Sequence, residues 1–161
     1  MRKSFAAIAV LVAAWTPTLA FGFMESAGQW TVADLGKSCM AINRSPVEFN
    51  FAPFNAMALH QLKTDSLPRV QVFFWPGAFE VGEDVRLLMR PEGKQKVELA
   101  AKAETIYHIV TVDPAPEDLL ETLTNVASVE IAAKDVQGTL LFETGPMEDV
   151  ADLMGRCVMG Q

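Results

Sequence analysis

Cysteine is scarce in this chain, with two residues in 161, Cys39 and Cys157. Neither belongs to a C-x-x-C, so a thioredoxin-like redox centre has no support. Two thiols without a histidine near them in sequence also fall short of the four closely spaced ligands of structural zinc. Histidine is just as rare, at His60 and His108 only. No serine sits in G-x-S-x-G, no H-E-x-x-H occurs, and no glycine-rich phosphate loop is present. Basic residues are outnumbered, thirteen against twenty acidic, for a formal net charge of −7. That balance argues against nucleic acid or an anionic membrane surface as partner. Long apolar runs are missing as well. The most apolar stretch, residues 5–15, is far shorter than the ~20 residues a spanning helix needs. No internal repeat, low-complexity tract or Pro/Ser-rich linker breaks the chain.

That apolar stretch has a different reading. Arg2 and Lys3 precede it, Thr16 and Pro17 end it, and Thr18-Leu19-Ala20 offers small residues where a signal peptidase reads. This is the layout of a secretory signal. The expected organisation is a signal over residues 1–20, with cleavage after Gly22 as the alternative, and one mature domain over residues 21–161. No cysteine follows the run, so a lipid anchor has nothing to modify. A periplasmic or secreted location is expected, with no membrane span after cleavage. In an oxidising compartment, two lone cysteines in a small chain most often pair with each other. A Cys39–Cys157 disulfide is therefore expected. By chain entropy such a closure stabilises by ~4–5 kcal/mol, less any strain.

Half of the residues are hydrophobic, enough for a substantial core. Their periodicity is mostly that of strands. Residues 29–33 and 38–42 flank a turn at Asp34-Leu35-Gly36-Lys37, and residues 56–62 and 69–75 follow. Val85, Leu87 and Met89 alternate with Arg86 and Arg90, and Pro91-Glu92-Gly93-Lys94 then supplies a turn. Val97 and Leu99 continue the alternation. Residues 105–112 are apolar on both faces and read as a central strand. Residues 128–133 and 138–143 resume the pattern.

Two segments keep a helical period. Asp113 can cap a first helix with Pro114 or Pro116 in its first turn, and Leu119, Leu120, Leu123 and Val126 make its stripe. Thr144 or Gly145 can start a second with Pro146 in its first turn. There Val150, Leu153, Met154 and Cys157 share one face. Cys157 thus points at a core built by the strands. The expected fold class is α+β: an antiparallel sheet or sandwich with two helices, the second C-terminal.

With "GQWTVADLGKSCMA" near one end and "LLFETGPMEDVADLMGRC" at the other, the chain resembles small exported alphaproteobacterial proteins. More distantly it resembles the invasion-associated locus B family. Trp30, Cys39, Gly145, Ala151 and Leu153 are the matching positions. The resemblance implies a β-rich exported domain without known catalytic residues. The second cysteine, placed after the last helix, departs from that family's pattern.

Chemistry-bearing residues are few. Each histidine lies inside a strand pattern, where a core or edge role outweighs that of base or ligand. Glu117, Asp118 and Glu121 suit a helix start and solvated charge. Eight methionines raise periplasmic copper, but they are dispersed and read better as core filler. No metal, no cofactor and no enzymatic activity are expected. One stretch stands out, "VQVFFWPGAFEVGED", where Phe73, Phe74, Trp75 and Phe79 crowd a Pro76-Gly77 turn. Alternation cannot bury all four on one sheet face. Two-sided burial with packing under the helices is the structural reading, with at least one of Trp75 and Phe79 expected to be structural. As a functional reading, the four are candidate partner-binding residues. "FNFAPFN" adds Phe49, Phe51 and Phe54. The expected function is a protein-interaction module whose partner is another protein. A carrier of a small apolar ligand between sheet and helix is the alternative.

Overall fold

The computed structural model describes residues 23–44 and 55–160. The expected signal segment and Phe49, Phe51 and Phe54 lie outside the described residues. The described residues form ten strands and two helices. They are β1 (Met24–Ala27), β2 (Trp30–Asp34), β3 (Ser38–Arg44), β4 (Ala56–Leu62), β5 (Arg69–Phe73), β6 (Asp84–Pro91), β7 (Val97–Thr105), β8 (His108–Thr111), α1 (Glu117–Thr124), β9 (Ser128–Ala133), β10 (Leu140–Glu143) and α2 (Met147–Met159). All strands join one antiparallel sheet in the order β1-β2-β3-β4-β5-β8-β7-β6-β9-β10. The α+β class is as the periodicity implied.

The register puts one set of alternate residues on a common face throughout. Val32 pairs with Ala41, Ala41 with Leu59 and Leu59 with Val70. Farther along, Leu87 pairs with Ala133 and Phe142 with Val129. All of these side chains are buried. A ten-stranded sheet with one apolar face hides it by folding over on itself. Hydrogen bonds between the two ends of the strand order show that it does. The Trp30 indole Nε1 donates to the Thr144 carbonyl at 2.6 Å, and Asn43 Nδ2 donates to the Glu143 carbonyl at 2.6 Å. Both donors are buried, so their bonds are made in low dielectric where a missing partner would be costly. Trp30 is thus the hinge pin between the first hairpin and the start of α2.

The sequence pattern was displaced at several edges. β1 went unread because only Ala27 of its four residues is buried. Residues 105–112 do not form one strand: β7 runs on to Thr105, Ile106 and Tyr107 make a tight turn, and β8 starts at His108. The shortened β8 is nonetheless central, between β5 and β7. The first helix begins at Glu117 with Pro116 at its cap, so Asp113 is outside it. There Asp113 accepts a hydrogen bond from the Thr111 hydroxyl through its carbonyl, at 2.8 Å. In the second helix, Val150, Leu153, Met154 and Cys157 are all buried, as their spacing required. Gly160 closes that helix in the left-handed conformation, φ 72°, which glycine adopts without the steric cost of a Cβ.

Candidate functional site

Cys39 and Cys157 are joined, with their Cα atoms 6.1 Å apart. Both are fully buried, one on the inner face of β3 and one on the buried face of α2. The bridge pins the C-terminal end of the helix to the sheet. Beside it lies the one grouping of metal-ligand atoms among the described residues, formed by Asp34, Cys39 and Cys157 within 4.8 Å of one another. The disulfide consumes both thiolates there. Asp34 is engaged by Lys63 Nζ at 2.8 Å and by the Gly36 backbone N–H at 2.7 Å. Those bonds hold its carboxyl below the ordinary range, Lys63 contributing most.

The four aromatic candidates divide. Phe74 has no exposed surface and Phe79 is 5% exposed, so neither ring is available to a partner. The cause is the path of the loop after β5. Phe74 N–H donates to the Tyr107 carbonyl, and the N–H groups of Gly77 and Phe79 both donate to the Ile106 carbonyl. With Gly77 at φ 83°, the chain reverses across the β7–β8 turn and brings Phe79 back beneath Phe74. Their rings meet edge to face, 5.2 Å between centroids at 87°. Trp75 is half-buried and meets Phe74 edge-on at 5.5 Å. It also covers Gly138 so closely that a Cβ there would sit 2.9 Å from the indole. Phe73, on the opposite face of β5, is half-buried and stacks flat on His108 at 4.2 Å.

The histidines stand on that outer face. His108 Nε2 lies 3.2 Å from Gln71 Oε1, and burial lowers its pKa against a weaker opposite pull from Glu104. His60 is also lowered, by burial first and then by Arg69, with Asp65 opposing. Neither faces a cavity together with a nucleophile.

Sequence reasoning missed an apolar concavity between the helices. A groove of about 560 Å3 runs between α1 and α2, with Leu59 and Pro68 in its floor. Leu120 and Thr124 line one wall, and Met147, Val150, Met154 and Val158 the other. Both walls are tied down. The Ala115 N–H donates to the Pro68 carbonyl at 2.7 Å ahead of α1, and the Thr144 N–H donates to the Ala127 carbonyl at 2.9 Å behind it. The start of α2 follows Thr144, which Trp30 holds, and its end carries the disulfide. The helices are thus fixed at their ends, with the groove lying between them. A preformed apolar groove of this size is the usual form of a binding site. The sequence signal was present in Leu120, on the helical stripe but only half-buried. Periodicity alone cannot say which residue of a stripe is left uncovered.

No protein-family model matches the chain, and no curated protein matches it in sequence. Among solved structures, the crystal structure of invasion associated protein B from Bartonella henselae is similar in fold, with a TM-score of 0.58. The similarity covers 85% of this chain and 96% of that one, at 18% sequence identity. The distant resemblance carried by the two ends of the sequence is thereby met by a shared fold.

Proposed function

We propose that this chain is a non-enzymatic exported protein-interaction module, and that the α1–α2 groove is where it takes an apolar segment of its partner. One observation carries this reading: Leu120, Val158 and Met159 leave apolar surface accessible in a groove between two helices tied at their ends. Helix-in-groove docking uses such a surface, with apolar anchors one turn apart seated between two helices. Methionine suits the role because its unbranched, polarisable side chain adapts to varied partners. Met147 and Met154 are buried beneath the groove, and Met159, 64% exposed, stands at its mouth. The polar lining includes no histidine or cysteine, which favours binding over acid–base or nucleophilic chemistry. Export rests on the N-terminal signal pattern and is supported by the paired cysteines.

The small-ligand carrier is the second reading, favoured by a groove volume within the ~300–1,000 Å3 typical of small-molecule sites. A photo-crosslinking residue placed at Leu120 or Val158, and at Val81 as a remote exposed control, separates the two in the exporting cell. The interaction module requires a discrete polypeptide adduct from the groove positions and none from Val81. Adducts with lipid or metabolite alone would favour the carrier, and equal labelling from Val81 would retire the groove.

A further inference from the structure

We infer that the groove selects a cationic amphipathic segment, one carrying lysine or arginine beside its apolar face; this rests on the groove being the docking site. Glu117 and Glu121 lie four residues apart on α1, both exposed and both lining the groove. That spacing stacks them on one side of the helix, where two like charges disfavour each other. Neither takes part in an ion pair among the described residues, whereas Asp34, Glu25, Glu98 and Glu130 each have a basic partner. Among the described residues, no lysine or arginine lines the groove. The concavity therefore presents an apolar floor with a one-sided acidic rim, inside a chain that is itself strongly acidic.

The charge asymmetry decides between occupants. A segment ending in carboxylates would meet Glu117 and Glu121 with no compensating cation. A second copy of this chain would bring its own acidic excess to the same rim. A lysine or arginine set one turn from an apolar anchor would pair with the rim while the anchor enters between Leu120 and Val158. Charge complementarity of this kind supplies selectivity and association rate more than raw affinity.

The test uses three labelled 14-residue helical peptides with the same leucine face, flanked by lysine, glutamine or glutamate, titrated against the mature protein by fluorescence anisotropy. The lysine peptide should bind about tenfold tighter than the glutamine peptide, with the glutamate peptide weakest and the spread narrowing as salt rises. Glu117→Gln/Glu121→Gln should erase the ranking, so that the lysine peptide loses its advantage over the glutamine peptide. Leu120→Asp, verified as folded by its urea midpoint, should abolish binding of all three. Equal affinity for the three peptides, lost in Leu120→Asp, would overturn the charge inference and keep the groove. A ranking that survives in the double glutamine variant would overturn it too, by assigning selectivity to charge elsewhere. Failure of every peptide to bind would overturn the docking site itself. Concentration-dependent dimerisation lost in Leu120→Asp would make a second copy the occupant and overturn the cationic one.

Discussion

The aromatic turn after β5 and the groove between α1 and α2 are both rich in apolar side chains, and they end in opposite conditions. The turn closes on itself. One glycine reverses the chain, two backbone N–H groups share the Ile106 carbonyl, and the rings of Phe74 and Phe79 lock together under the sheet. The groove lies between two helices that are fenced at their ends by hydrogen bonds or the disulfide. Aromatic density thus marks a core here, whereas the groove leaves Leu120 and Val158 half-buried and Met159 exposed above a buried base of Met147, Val150 and Met154. What distinguishes them is whether local backbone bonding brings a second layer over the first.

The largest expected effect tests the fence. Replacing both cysteines, Cys39→Ser/Cys157→Ser, removes a crosslink spanning 118 residues of sequence without leaving a lone thiol. The loop-entropy model puts the loss at ~4–5 kcal/mol, against the ~5–15 kcal/mol of a typical domain. The urea midpoint should fall steeply, and amide exchange should accelerate in α2 before it does in β6 or β9. An unchanged midpoint would mean the helix is held by packing alone, and the contrast between fenced and self-closed regions would collapse.

A second comparison sets the two regions side by side. Phe74→Ala should cost ~3–5 kcal/mol, as for other large buried rings. Phe79→Ala should behave alike, while Leu120→Ala on the half-buried groove wall should cost ~1 kcal/mol or less. Trp75→Ser should fall between them, because the indole is half-buried over Gly138. Equal losses at Phe74 and Leu120 would show that the groove wall is core, and the docking reading would go with it.

The sequence made some of this legible and some not, for identifiable reasons. The α2 stripe and the Cys39–Cys157 pairing could be read because helical spacing and a shortage of alternatives constrained them tightly. Strand β9, with clean alternation, has the bounds its pattern implies, and so does the more continuously apolar β4. β1 could not be read because its pairing with β2 is backbone bonding that leaves three of four side chains exposed. The burial of Phe79 depends on hydrogen bonds to Ile106, twenty-seven residues later, and no local pattern encodes that contact. The groove was invisible for the same kind of reason. It is a gap between two helices whose separation is set by their attachments to Pro68, Ala127 and Cys39.

The smallest expected effect concerns pH, and it separates the two regions once more. His108 stacks on Phe73 beside the aromatic turn, and burial lowers its pKa below the ordinary ~6.5. His60 is lowered for the same leading reason. A histidine with a depressed folded pKa binds fewer protons folded than unfolded. Its contribution to stability is complete above pH ~6.5 and is lost as the pH falls toward the folded value. The urea midpoint should therefore drop modestly between pH 7.5 and pH 5.5. His108→Gln and His60→Gln should each reduce that drop, since glutamine can hydrogen-bond but does not titrate. No histidine lines the groove, so peptide binding should not follow the step. A midpoint that rises on acidification would reverse the sign and exclude neutral, buried imidazoles. An undiminished drop in the double His60→Gln/His108→Gln variant would assign the pH dependence to carboxylates instead. A groove affinity that tracked the histidine step would tie the two regions together, where the structure keeps them apart.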